Sequence, residues 1–420
     1  MTPEALAFIG TSDLAGLVRG KSVPLSELAG RMGRGVGIAP TNLMLSVFGP
    51  IHETPFGTAG DVTLVPDPAT RTVIPMQDTP DNCLLLGDFR TTEDEPWECC
   101  PRGFLSRALA ALQAEAGLTL LATFEQELVY TGVEDRPGSP YTLDALRRQG
   151  TFGGLLLAAM RGAGITPDSF LAEYGPRQYE VTAAPAQGLR AADEAVLVRE
   201  LARAVAAQLG HRAILAPMLH PDGTGNGTHI HWSLLDAASR PATYDAARPH
   251  GLSEAVEGFC AGLLHHLPAL TAVTAPSAAS YFRLRPGRWA PTVADLGVQG
   301  RGSAVRTCPV YAASPDAAAH QFNVEFRVAD AAASPYLALG ALAWAGLDGL
   351  RQRRRLADHV PAPLPASLDA ALDAFAASTA AAGWFGPVFH GIYLSFKRAE
   401  LRALAGLDEA AICDRYAAIY

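Results

Sequence analysis

The sequence predicts an α+β protein in two parts: a small β domain over residues 1–100 and a larger domain of strands and helices over residues 101–420. Three observations lead there. At 420 residues the chain is longer than an ordinary domain of roughly 100–200 residues. Its first hundred residues are rich in Gly, Pro and Thr around short β-type runs. After Cys100-Pro101 the pattern becomes helical periodicity alternating with strands.

In order along the chain, β-type runs fall at 5–9, 61–65 and 83–86. The tract 30–60 reads as a long loop, and such segments in compact domains usually carry function or an interface. Residues 15–22, Ala-Gly-Leu-Val-Arg-Gly-Lys-Ser, fit a relaxed phosphate-loop pattern. A phosphate loop needs a long helix beginning at its lysine. Here Val23-Pro24 follows, and proline disfavours helical geometry in the residue before it, so a β-hairpin turn is the better reading. Pro101 then opens a helix through Glu115, with Gly117 beyond its end. Further helices are predicted over 193–209, stopping at Gly210, over 253–267, and from Ser334-Pro335 past Leu350. The last runs into Arg351, Arg353, Arg354 and Arg355, where positive charge suits a solvated helix C-terminus.

Composition narrows the function. Basic residues number 33 against 42 acidic, a formal charge of −9, which disfavours a nucleic-acid partner. Lys21 and Lys397 are the only lysines, so Schiff-base or phosphate-loop lysine chemistry has almost no candidates. Six cysteines form no CxxC pair and no disulfide framework. No basic stretch, apolar run and cleavage site open the chain, and the most apolar segment, 336–347, is far short of the roughly 20 residues that span a bilayer. A cytoplasmic protein with no membrane partner is expected.

The chemistry-bearing residues fall on strands. In the predicted strand 120–130, Glu125 and Glu127 are two apart and share a face at a separation of roughly 6–7 Å, where they repel unless a cation or a proton intervenes. In 228–234, His229, His231 and Ser233 face one way and Ile230, Trp232 and Leu234 the other; the preceding Asp222-Gly223-Thr224-Gly225-Asn226-Gly227 lets backbone approach a ligand closely. In 322–328, Asn323, Glu325 and Arg327 oppose Phe322, Val324, Phe326 and Val328. The turn Gly175-Pro176 returns Glu180 towards Glu173, and the tract 280–306 holds Arg283, Arg285, Arg288, Arg301 and Arg306. Arginines suit bidentate contacts to carboxylates and phosphates. Five glutamates and a histidine facing several arginines describe a two-metal phosphoryl-transfer site.

With these blocks in hand, the chain resembles the glutamine synthetase superfamily of ATP-dependent carboxylate–amine ligases. The resemblance covers most of the chain and rests on Phe124-Glu125-Gln126-Glu127, on Glu173 with Gln178 and Glu180, and on Gly225 through Leu234. It continues through Ser280-Tyr281-Phe282-Arg283, Arg301 to Arg306, Glu325-Phe326-Arg327, and Ser334-Pro335-Tyr336 into Gly346-Leu347-Asp348-Gly349. It implies an N-terminal β-grasp domain, then a catalytic domain with an antiparallel sheet flanked by helices. It further implies a homo-oligomer of two stacked hexameric rings, a dodecamer, with active sites between subunits. Two or three divalent cations, Mg²⁺ or Mn²⁺, would serve ATP. One is implied at Glu127, Glu173 and Glu180, and a second at Glu125, His229 and Glu325. Catalytic roles fall to Arg283, Arg301 and Arg327. Arg283, Arg327, Gly225 and Trp289 would bind the acid and amine substrates, while His231, Ser233, Arg301 and Arg306 would border the nucleotide.

Departures from the family pattern bear on the substrate. Gly287-Arg288-Trp289-Ala290-Pro291 stands where ammonia-using members have Gly-Tyr-Glu-Ala-Pro, and residues 42–50 offer no counterpart of the aspartate that serves the ammonium site. Trp289 replaces a carboxylate by an apolar π surface suited to a bulkier amine. Basic residues near the nucleotide give way to His320 and Asn323, the glycine before Gln178 is Arg177, and no adenylylation loop is recognisable. The resulting expectation is a γ-glutamyl-amide ligase using an organic amine. Ordinary glutamine synthetase activity with ammonia and a non-catalytic regulatory relative are the alternatives.

Overall fold

The computed structural model describes residues 3–51, 54–74, 80–312 and 314–420. Strands β1 (Leu6–Ser12), β2 (Val18–Pro24), β3 (Val36–Ile38), β4 (Val62–Pro66), β5 (Thr72–Ile74) and β6 (Asn82–Arg90) form the N-terminal sheet, in the order β2-β1-β6-β4-β3 with β5 also paired to β6. The phosphate-loop-like segment is the turn of the antiparallel β1–β2 hairpin. Asp13 Oδ1 accepts from the Ala15 and Leu17 amides there, and Lys21 lies on β2 opposite Ile9. The tract 30–60 is less open than its composition implies: it holds β3 and the 3-10 turn Pro40–Met44, which buries Leu43 and Met44. His52 and Glu53 of that tract lie outside the described residues.

The remaining strands are β7 (Thr119–Phe124), β8 (Gln126–Tyr130), β9 (Pro167–Ala172), β10 (Gln178–Ala183), β11 (Ala186–Gln187), β12 (Ala213–Ile214), β13 (Ile230–Leu235), β14 (Val293–Ala294), β15 (Leu296–Val298), β16 (Val305–Thr307), β17 (Val324–Phe326) and β18 (Ala362–Pro363). In place of one antiparallel sheet they build a four-stranded sheet, β12-β8-β10-β9, a six-stranded sheet, β11-β7-β13-β17-β16-β15, and a β14–β18 pair. The pairs are antiparallel except β15–β16. Two sheets arise because the expected strand 120–130 breaks at Glu125: β7 ends in one sheet and β8 begins in the other. The expected strand 322–328 is also shorter, confined to β17.

Four helices arise where the sequence signals them, but the one expected over 253–267 continues through Pro268 to Thr274 and the one expected from 193 starts at Leu189. Pro101–Ala116 opens with Pro101 at its first position and Cys100 Sγ accepting from the Gly103 amide, and it buries Phe104, Leu105 and Leu112. Leu189–Gln208 packs on β7, β8 and β12. Glu254–Thr274, capped by Ser253, lies against Pro335–Arg351 so closely that a Cβ at Gly262 would come 2.2 Å from the Ala345 carbonyl oxygen; only glycine allows this approach. Arg351 beyond this contact pairs with Glu115 at 2.5 Å, as a solvated helix end does. The alternation read in β13 decides where the site lies. Ile230, Trp232 and Leu234 are buried, with Trp232 against Phe259 at 4.7 Å, which leaves His231 and Ser233 on the other face.

Candidate active site

The break at Glu125 carries the first side chains of the site. Glu125 N donates to the His229 carbonyl at 2.9 Å and Glu127 N to the Gly227 carbonyl at 3.3 Å, so the glycine-rich loop continues the pairing where the two strands stop. Side chains alternate through the break. Glu125 and Glu127 line a cavity of about 730 Å³, whereas Gln126 is buried elsewhere, accepting from Arg199 Nε at 3.1 Å and Thr228 Oγ1 at 3.3 Å. Glu180 stands opposite Glu127 in the β8–β10 register, and Glu173 follows β9 directly before the turn. Arg177 in that turn has φ of 57°, the left-handed region that glycine adopts without cost.

All six implied cation ligands line this one cavity, with Gly225, Arg283, Trp289, Arg301, Arg306 and Arg327 on its other walls. His231 and Ser233 do not. His231 stands behind Glu125 and Glu325, and Ser233 lies further along β13 opposite Leu121. Neither lysine reaches the cavity: Lys21 is exposed and Lys397 is buried in a 2.9 Å ion pair with Glu400.

At one end, donor atoms of Glu125, His229 and Glu325 lie within 4.8 Å of one another, His229 Nδ1 being 2.9 Å from Glu125 Oε2 and 3.4 Å from Glu325 Oε1. Burial would raise the Glu125 carboxyl, but hydrogen bonds and charge from His229 and His231 outweigh it and hold it well below the usual range. At the other end burial and repulsion outweigh what opposes them. Burial, with the charges of Glu125, Glu127 and Glu173, raises the Glu180 carboxyl to about 9. Burial raises Glu173 too, against the opposing hydrogen bond from Tyr141. Carboxylates with a single imidazole are the donor set of hard divalent cations such as Mg²⁺ and Mn²⁺, and a cation here would relieve the acids.

The arginines supply the opposite charge. Arg306 and Arg327 each donate to Glu325, and Arg283 donates to the carbonyls of Val328 and Ala329. Yet Nε of Arg283 and Nε of Arg327 are buried with no hydrogen-bond partner. Donors left over in this way are the ones an anionic ligand would satisfy. Residue 225 has to be glycine, because a Cβ there would come 2.7 Å from Arg283 Cγ.

Two residues of the cavity are not singled out by sequence. Tyr141 Oη donates to Glu173 Oε1 at 2.8 Å, and its ring lies 5.2 Å from that of Tyr174, which lies 5.7 Å from Trp289. The three come from separate loops, so no local pattern announces them. Trp289, 67% exposed and with φ of 55°, ends this aromatic wall.

The family model "Glutamine synthetase, catalytic domain" matches residues 98–416, and "Glutamine synthetase N-terminal domain" matches residues 3–97. The chain belongs to the glutamine synthetase family. Among relatives of this glutamine synthetase-family chain, gamma-glutamylpolyamine synthetase of Streptomyces coelicolor is 36% identical, over 83% of this chain and 76% of the relative. Gamma-glutamylanilide synthase of an Acinetobacter species is 28% identical, over 82% of this chain and 75% of the relative. A crystal structure of a "novel glutamine synthase homolog" superposes with a TM-score of 0.95 at 41% identity, over 100% of this chain and 99% of that one.

Proposed function

We propose that this glutamine synthetase-family chain is an ATP-dependent, ADP-forming carbon–nitrogen ligase. It activates the γ-carboxylate of glutamate, or of a similar acid, as an acyl phosphate and joins it to an organic amine, giving a γ-glutamyl amide. The observation that carries the reading is the Tyr141–Tyr174–Trp289 wall beside Glu173, in a cavity whose ionisable lining is glutamates, a histidine and arginines. Likeness to gamma-glutamylpolyamine synthetase and gamma-glutamylanilide synthase supports it, since both names specify an organic amine.

A carboxylate is a poor acyl donor. Divalent cations held by Glu127, Glu173 and Glu180 and by Glu125, His229 and Glu325 would neutralise the phosphates of ATP. The chain's own residues do the rest. Arg283 and Arg327 hold the acid and offset the charge that builds on the transferring group. Arg301 and Arg306 face the phosphates, His231 and Ser233 border the nucleotide, and the loop at Gly225 receives the acid. The aromatic wall presents a π surface to the amine's carbon chain. On the same resemblance, a β-grasp domain ends near residue 100, the subunits assemble as stacked hexameric rings, and the enzyme works in the cytoplasm.

The test is phosphate release from ATP and glutamate with ammonium and a panel of amines, in the parent and in Trp289→Glu. The parent is expected to turn over fastest with an organic amine, and the variant to gain on ammonium and lose on the bulky amine. Efficient turnover of ammonium by the parent would establish ordinary glutamine synthetase activity instead. Intact nucleotide binding without phosphate release for any amine would establish a non-catalytic relative.

A further inference from the structure

The cavity's second cation set shares its wall with a thiol. Cys308, in the strand-to-loop exit after β16, is buried, with Sγ 3.9 Å from Glu325 Oε2 and 3.6 Å from the His231 ring at Nδ1. Donor atoms of His231, Cys308 and Glu325 lie within 4.8 Å of one another. His231 is oriented for ligation. Nδ1 meets Asn323 Oδ1 at 2.8 Å, the arrangement that leaves the other nitrogen for a metal. That nitrogen, Nε2, is buried and faces Glu125 Oε1 at 2.9 Å and Glu325 Oε2 at 4.0 Å. One imidazole nitrogen, one sulfur and a Glu325 carboxylate oxygen thus converge, with Glu125 Oε1 beside the imidazole, donors of the mixed kind that zinc takes.

We propose that His231, Cys308, Glu325 and Glu125 form a site for a thiophilic divalent cation of the zinc class, overlapping the Glu125–His229–Glu325 set. A thiolate selects Zn²⁺ or Cd²⁺ over Mg²⁺, which prefers an all-oxygen shell. Binding forms the metal–sulfur and metal–nitrogen bonds as Cys308 Sγ and His231 Nε2 give up protons to bulk water, and Arg306 releases Glu325 Oε2. No oxidation is involved. Because Glu125 and Glu325 belong to both sets, the soft cation excludes the hard one, and zinc shuts the site that magnesium serves.

The experiment reads binding, so it does not depend on the identity of the amine. Chelator-stripped full-length protein is titrated with Co²⁺ and, separately, Zn²⁺. The expected result is a near-ultraviolet thiolate-to-cobalt charge-transfer band in the parent. Cys308→Ser is expected to lose that band and to bind Zn²⁺ at least about tenfold more weakly. Since Cys308 is buried, Cys308→Ala and X-ray absorption of the parent loaded with Cd²⁺ back up a variant that does not fold; sulfur in the first shell supports the site. A folded parent with no thiolate band, or a band and zinc affinity unchanged in the Cys308 variants, overturns it.

Discussion

Around Arg102 one guanidinium faces three aspartates; around Glu180 the acids face one another. Arg102, 2% exposed at the start of the Pro101–Ala116 helix, donates from Nε and Nη2 to Asp193 at 2.9 Å each, from Nη1 to Asp88 at 2.5 Å and from Nη2 to Asp67 at 2.7 Å. Tyr336 donates to the same Asp193 at 2.7 Å. This cluster pins the N-terminal sheet, through Asp67 and Asp88, to two helices of the larger domain. Each donor has its acceptor, so nothing further is wanted. In the cavity, by contrast, Glu180 is raised to about 9 and buried arginine Nε atoms have no partner. Finished clusters hold a fold; unfinished ones await a ligand that completes them.

Substitutions can break that contrast. Glu127→Gln removes an acid from the unfinished cluster and is expected to cut phosphate release by at least about a hundredfold while leaving the melting temperature unlowered; collapse of the fold would place Glu127 among the structural charges. Arg102→Ala strands three aspartates and should cost ~3–5 kcal/mol in denaturant unfolding. A loss below ~1 kcal/mol would show that water reaches the cluster. A matched pair sharpens the point. Tyr336→Phe and Tyr141→Phe each delete one hydroxyl that donates to a carboxylate. The first should lower stability by ~1 kcal/mol. The second should leave stability alone and raise the cation concentration needed for half-maximal activity roughly tenfold.

A change of pH tests the same contrast without a substitution. Glu180 is an acid whose folded pKa is raised from 4.5 to about 9. Across that window the unfolded chain has lost its proton while the folded chain keeps it, so stability of the cation-free protein falls as pH rises. Melting curves should shift down by a few degrees over this range and flatten when Mg²⁺ is present. An equal decline with and without the cation would detach Glu180 from the cation set.

Much of the site was legible because it is local. Glu125 and Glu127 share a face across Gln126, and His229 precedes a strand whose Ile230 and Trp232 are buried, through side-chain alternation that any extended chain imposes. The break between β7 and β8 was not legible, since a strand that changes sheets at Glu125 keeps the same alternation. Arg102 reads as an ordinary first-turn residue, and its aspartates lie 14, 35 and 91 positions away.

The sequence by itself determined the two-part α+β plan, the helix starts at Pro101, Glu254 and Pro335, and the acids, histidine and arginines that line the cavity, because capping, periodicity and family motifs are written in consecutive residues. Only the tertiary structure decided that two sheets meet at Glu125, that Tyr141 and Tyr174 join Trp289 in one wall, and that Cys308 stands beside His231 and Glu325. Those are contacts between distant segments. Packing settles them, and packing depends on which surfaces the whole chain must bury together.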